Sequence, residues 1–195
     1  MLVAKLLCNQ INIEIDDDND NFKEDPNIPK EFYTWAQKVK VKKTQHVFTD
    51  KNIFTIREIS RKVHLQYVLN IMTSVITGLF NRNEKTNELL DDYFQNFDMK
   101  DEIISNFEKA SDIIQKLKLK PKSIWNAKSN FFTLFIVVYN NMSLIEQKLS
   151  VFADKLDQFE KDLPEEYKLA ATEGVNNKKE RQLRNDYLVE IVNSL

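Results

Sequence analysis

Phe131-Phe132-Thr133-Leu134-Phe135-Ile136-Val137-Val138-Tyr139 is the longest apolar run in the chain, and whether it is strand or helix decides the fold. It falls far short of the ~20 residues that a bilayer-spanning helix needs, so it is a core segment. Periodicity alone does not separate a buried strand from a buried helix in so short a run. Ser129 or Asn130 can cap it as a helix. The segments on both sides carry a helical period, so the run is read as a buried helix. The chain is then all-α, a bundle-like domain of roughly seven to nine helices over residues 1–195.

Working outward toward the C-terminus, Ser143 can cap a long amphipathic helix carrying Ile145, Leu149, Phe152, Leu156, Phe159 and Leu163. Pro164 opens a short helix that ends at Gly174. A last helix runs from Lys178, with Leu183, Tyr187, Ile191 and Leu195 one turn apart. Toward the N-terminus, Ile103, Ile104, Phe107, Ala110, Ile113, Ile114 and Leu117 line a helix that Asp98 opens and Pro121 stops. Thr86 can cap the helix before it, whose stripe is Leu89, Leu90, Tyr93, Phe94 and Phe97. From Ser60, Leu65, Val68, Met72, Val75 and Leu79 line one face, Ile71 and Ile76 widen it, and Gly78 terminates it; that breadth points to a central helix. Residues 44–59 fit neither period cleanly and read as a short extended connector or a short strand. Residues 1–52 form a variable N-terminal part: a first helix, an acidic loop with a proline, and a short helix on Phe32, Trp35, Ala36 and Val39. The helical core is residues 53–195.

Composition excludes several chemistries. Gly78 and Gly174 are the only glycines, whereas phosphate-cradling loops need several at fixed spacing because the backbone must take φ > 0 close to the phosphate. Neither a P-loop nor a dinucleotide fingerprint can be built. Cys8 is the single cysteine, which removes an internal disulfide framework and multi-cysteine zinc sites and fits a reducing cytoplasm. The net charge of -2 exerts no global pull on nucleic acid or anionic membrane.

The candidate chemical groups are sparse. Asp16, Asp18 and Asp20 match the first, third and fifth positions of an EF-hand loop, but Asn21 replaces the turn glycine and Asn27 the bidentate glutamate, so no tight calcium site is expected. His46 and His64 are too few for a metal hydrolase, and His64 reads as a packed helix residue. Asp91 with Asp92 and Glu165 with Glu166 are adjacent and cannot share a proton site on a helix. No metal ligand, cofactor or catalytic set is expected. Of the basic clusters, Lys38–Lys43 and Lys116–Lys122 lie at or near helix C-termini, where the dipole favours cations. The third, Lys178, Lys179, Arg181 and Arg184, begins a helix, where the dipole does not ask for cations, and is the candidate contact for nucleic acid or a partner.

The C-terminal string YKLAATEGVNNKKERQLRNDYLVEIV, with Tyr167, Ala170, Gly174, Asn177, Arg181, Arg184 and Leu188, resembles the closing segment of the ParB-like nucleotidase domain of GmrSD-type, modification-dependent restriction proteins. VLNIMTSVITGLF and NEKTNELLDDYFQNF, with Gly78, Leu90, Asp92, Tyr93 and Phe94, resemble its middle helices, and KSNFFTLFIVV its later buried helix. That family's Asp-Gly-Gln-Gln-Arg motif and its His-Asn-His nuclease are both absent, so no catalytic residue carries over. The resemblance implies a detached helical half, a truncated gene product or a diverged protein that kept the helices for binding. The first reading is then a non-catalytic helical module for phage defence that packs against a separately encoded catalytic segment or forms a homo-oligomer; the rival reading is a nucleic-acid-contacting module using the last helix. A detached half should leave an apolar patch uncovered, and the first helix, with Leu2, Val3, Leu6, Leu7, Ile11, Ile13 and Ile15, is where that patch is expected.

Overall fold

The computed structural model describes residues 1–10, 30–39, 41–50, 53–93 and 97–195, and in these it is all-α with no strand. The order is α1 (Leu2–Leu7), α2 (Lys30–Ala36), α3 (Lys42–Gln45) running into a π-helical turn at His46–Asp50, α4 (Ile56–Ser60), α5 (Val63–Thr77) and α6 (Glu84–Asp92). There follow α7 (Lys100–Lys116), a 3-10 turn at Ile124–Asn126, α8 (Lys128–Asn140), α9 (Met142–Gln147), α10 (Leu149–Lys161), α11 (Glu165–Thr172) and α12 (Lys178–Asn193). None of these helices is long and apolar enough to cross a membrane.

The apolar run is a helix, and it is the centre of the molecule. Every residue from Asn130 to Val138 is buried, and α8 touches α5, α7, α9, α11 and α12. A strand enclosed by helices would leave its backbone N–H and C=O groups unpaired, whereas a helix satisfies them within itself. Phe135 meets Phe48, Phe107 and Phe131 at ring-centroid distances of 5.2, 5.0 and 6.3 Å. Each such buried side chain stabilises by roughly 1.5–3 kcal/mol. α5, expected to be a central helix, is buried at His64, Leu65 and from Val68 to Ser74 and packs against α1, α4, α6 and α8.

The connector expected at 44–59 is largely helical, not extended: α3, the π turn and α4 occupy most of it. Glu108 of α7 makes that possible by accepting the N–H groups of Lys43 at 3.1 Å and of Thr44 at 2.7 Å. Both would otherwise be unpaired at the helix start. Thr55 with Glu58 forms a capping box at α4. Caps elsewhere lie a few residues from those expected. Asn83, not Thr86, precedes α6; Met99 precedes α7; Ala127 precedes α8. The helix expected from Ser143 is two, broken at Lys148. Gly78 ends α5 as expected, with φ 84, a value that glycine takes without steric cost.

The apolar surface expected on the first helix is covered by the chain itself. Val3, Leu6 and Leu7 of α1 are buried, packed against α5 and α7. Ile11, Ile13 and Ile15 lie outside the described residues, as do Phe94 and the acidic loop with its calcium test at Asp16, Asp18, Asp20 and Asn27.

Candidate functional site

The cluster that begins α12 has two faces with opposite roles. At roughly 100° per residue, Arg181, Arg184, Leu188 and Val192 share one side of the helix, while Lys179, Leu183, Asp186 and Glu190 share the other. The first set is buried, so the inward stripe lies one residue round from the expected Leu183, Tyr187, Ile191 and Leu195, which are half-buried.

The inner face is a corner held by two arginines. Gly174, at positive φ, turns the chain out of α11, and its carbonyl accepts the N–H of Asn177 at 2.7 Å. A Cβ there would meet Asn177 Nδ2 at 2.6 Å, a side-chain end that can move aside, so it is the positive φ that asks for glycine. Arg184, fully buried, donates through Nη1 to the carbonyl of Ala170, through Nη2 to that of Val175 (2.8 Å) and through Nε to Thr133 Oγ1 of α8 (3.3 Å). Arg181, 2% exposed, donates to the carbonyl of Phe80 (3.0 Å) and to Asn176 Oδ1 (3.5 Å). Its guanidinium lies 4.5 Å from the ring centroid of Phe132 and 5.0 Å from that of Phe80. This cation–π arrangement replaces part of the lost hydration. Burial, with the like charge of Arg184, pulls Arg181 down to about 10, and burial lowers Arg184 as well. Arg181 stays charged at neutral pH. Arg82 N–H to Asn176 O (2.7 Å) and Ser129 Oγ to Ala171 O (2.8 Å) complete the stitching of three chain segments.

Arg181 and Arg184 are thus neighbours on one helix edge, as their spacing implies, but that edge faces inward and both guanidinium groups bond the chain's own acceptors. Lys178 and Lys179 are exposed and have no ion pair among the described residues. They stand at one end of an open groove of about 780 Å³. Its floor is Leu183 and Tyr187, its far end Asp186 and Glu190, and its rim Glu166 of α11, which accepts the Tyr187 hydroxyl proton. Leu169, one turn from Glu166, is 49% exposed.

Several of the remaining candidates are paired or buried. In the other basic clusters, Lys43 and Lys116 both bind Asp112 (2.8 and 2.7 Å), and Lys120 binds Asp157 (2.5 Å). Glu165 pairs with Lys168 at 3.1 Å, and Asp91 and Asp92 are exposed. His64 is fully buried near Phe54, with neither ring nitrogen hydrogen-bonded, and burial lowers its pKa. Cys8 is buried, its thiol 3.8 Å from the His64 carbonyl. Desolvation pushes that thiol up, the opposite of a reactive thiolate. Among the described residues no three His, Cys, Asp or Glu side chains converge as metal ligands.

No protein-family model, curated protein or solved structure matches the chain. The residues of the C-terminal string fall together at this corner: Tyr167 and Leu188 are buried, Ala170 and Asn177 supply carbonyls, Gly174 turns the chain, and both arginines close it. Sequence reading missed the partners Phe80, Phe132 and Thr133, which no local spacing connects to α12. The one available signal was Arg181 and Arg184 recurring with Leu188 at helical spacing, which places them on an apolar side.

Proposed function

We propose that this chain is a non-catalytic helical module that acts by packing against another protein through the outer face of α11 and α12. The observation that carries the reading is the groove: an apolar floor of Leu183 and Tyr187, edged by charges of both signs, on a helix whose other side is locked into the core. A rigid helix face with a small apolar centre and a charged rim is the usual layout of a modest protein-binding surface. Its relation to GmrSD-type defence proteins belongs to the same proposal and rests on the C-terminal string; an adjacent reading frame encoding Asp-Gly-Gln-Gln-Arg would support a separately encoded catalytic half.

The test is photocrosslinking in cells from a benzoylphenylalanine placed at Gln182 in the groove, with exposed Arg57 on α4 as the control position. The expected result is a discrete adduct at Gln182 alone, abolished by Leu183→Asp, with a partner that rebinds when both components are purified. Equal background at both positions would contradict the proposal. A second reading, nucleic-acid contact, draws on exposed Lys178, Lys179 and Arg82, brought to one corner by the Arg82–Asn176 backbone bond. It predicts salt-sensitive DNA or RNA binding that weakens in Lys178→Ala/Lys179→Ala.

A further inference from the structure

We infer that the occupant of the groove is a second copy of this chain, its α12 lying antiparallel across the first about a two-fold axis. The inference rests on the reading of the groove as a protein-binding surface and adds the identity of the partner. Its basis is the distribution of charge along one stripe. Lys178 and Lys179 are exposed at the N-terminal end, and Asp186 and Glu190 lie at the C-terminal end, with Leu183 between them.

Such a stripe repels a parallel copy and attracts an antiparallel one. With the axis midway between Arg184 and Asn185, Lys179 of each chain opposes the partner's Glu190, Gln182 opposes the partner's Tyr187, and Leu183 opposes the partner's Asp186. Lys179 and Glu190 are about 16 Å apart along the helix at about 1.5 Å per residue, so the two symmetry-related pairs flank a mixed centre that holds Leu183 and Tyr187 of both chains. A two-fold contact uses each complementary pair twice, which is how a patch of both signs becomes self-complementary. One helix face per chain is a small interface, so the dimer is reversible rather than permanent.

The experiment is sedimentation equilibrium on the full chain from roughly 1 μM to 1 mM, the range of transient pairs. It compares wild type, Lys179→Glu, Glu190→Lys, the double swap in one chain, and an equimolar mixture of the two single swaps. Both positions are exposed, so circular dichroism and the thermal midpoint should match wild type. The expected result is a wild-type dimer, about tenfold weaker association for each single swap alone, and restoration both in the double swap and in the mixture. In the mixture, a Lys179→Glu chain meets a Glu190→Lys chain, and both pairs across the axis regain opposite charge. The double swap decides the direction of pairing, because one sequence recovers self-association only if position 179 faces position 190 of its partner. A wild-type monomer at every concentration, association that the swaps leave unchanged, or a double swap no better than the single ones overturns the inference. If a wild-type monomer still gives the discrete Gln182 adduct with another protein, the protein-binding reading stands while the self-pairing falls.

Discussion

The two faces of α12 carry the same residue types to opposite ends. Arg181 and Arg184, on the inner side, are enclosed by aromatic rings and backbone carbonyls, whereas Lys178 and Lys179, at or near the opposite side, meet solvent beside an open groove. What separates them is side chain as much as position. A guanidinium offers five donors in a planar fork, is weakly hydrated and stacks on aromatic faces, so it can be taken out of water if carbonyls are arranged around it; an ammonium cannot match that geometry. A cationic cluster in sequence is therefore not one surface until the helix phase is known.

The largest effect should come from breaking the inner face. Arg184→Ala leaves the carbonyls of Ala170 and Val175 and the hydroxyl of Thr133 without their donor. Unfolding in urea should show a loss of about 2–4 kcal/mol. Arg184→Lys should recover little, because one ammonium does not span three acceptors. The outer-face change Lys179→Ala should move stability by less than about 0.5 kcal/mol. Comparable losses at the two positions would erase the distinction between the faces.

Gly174→Ala sharpens the comparison by testing the turn that presents the carbonyls to Arg184. Its positive φ and the Asn177 Nδ2 contact at 2.6 Å both oppose a methyl group. Thermal denaturation should show a loss on the order of 1 kcal/mol or somewhat more. Adding Asn177→Ala should recover part of the loss, the part due to crowding and not to backbone conformation.

His64 gives the smaller and pH-dependent contrast: a buried basic ring whose desolvation the nearby Cys8 backbone offsets only in part, whereas the buried arginines donate to carbonyls. Burial lowers its folded pKa below 6.5, so the folded state binds fewer protons than the unfolded one as the pH falls through that range. The stability contributed by the neutral ring is thus present above pH 6.5 and lost in acid. The slope from this residue is at most about 1.4 kcal/mol per pH unit. His64→Phe should flatten the stability profile below about pH 6.5; an unchanged slope would assign the acid sensitivity elsewhere.

The all-α class was legible because the helical period and the caps agree along most of the chain, and the one ambiguous run, Phe131 to Tyr139, took its answer from its neighbours. Residues 44–59 were not legible as helix, since α3 is capped by Glu108, more than sixty residues away, and no local pattern announces that. The same distance hid the corner. Arg181 finds Phe80 about a hundred residues earlier and Arg184 finds Thr133 about fifty earlier, contacts that only the placement of α8 and of the connection between α5 and α6 against α12 creates. Sequence spacing correctly made the arginines neighbours and could not say which way they faced. The apolar residues of α1 were read as surplus for the same reason, because the α5 and α7 surfaces that cover them come later in the chain.

The division of the cluster can be measured directly by arginine labelling. In the folded protein Arg57, Arg61 and Arg82 are exposed and Arg181 and Arg184 buried. Phenylglyoxal under native conditions, read by peptide mass spectrometry, should therefore modify the first three rapidly and the last two only after denaturant is added. Labelling of Arg181 and Arg184 at the rate of Arg82 in the native protein would contradict the account and return both arginines to the surface with Lys178 and Lys179.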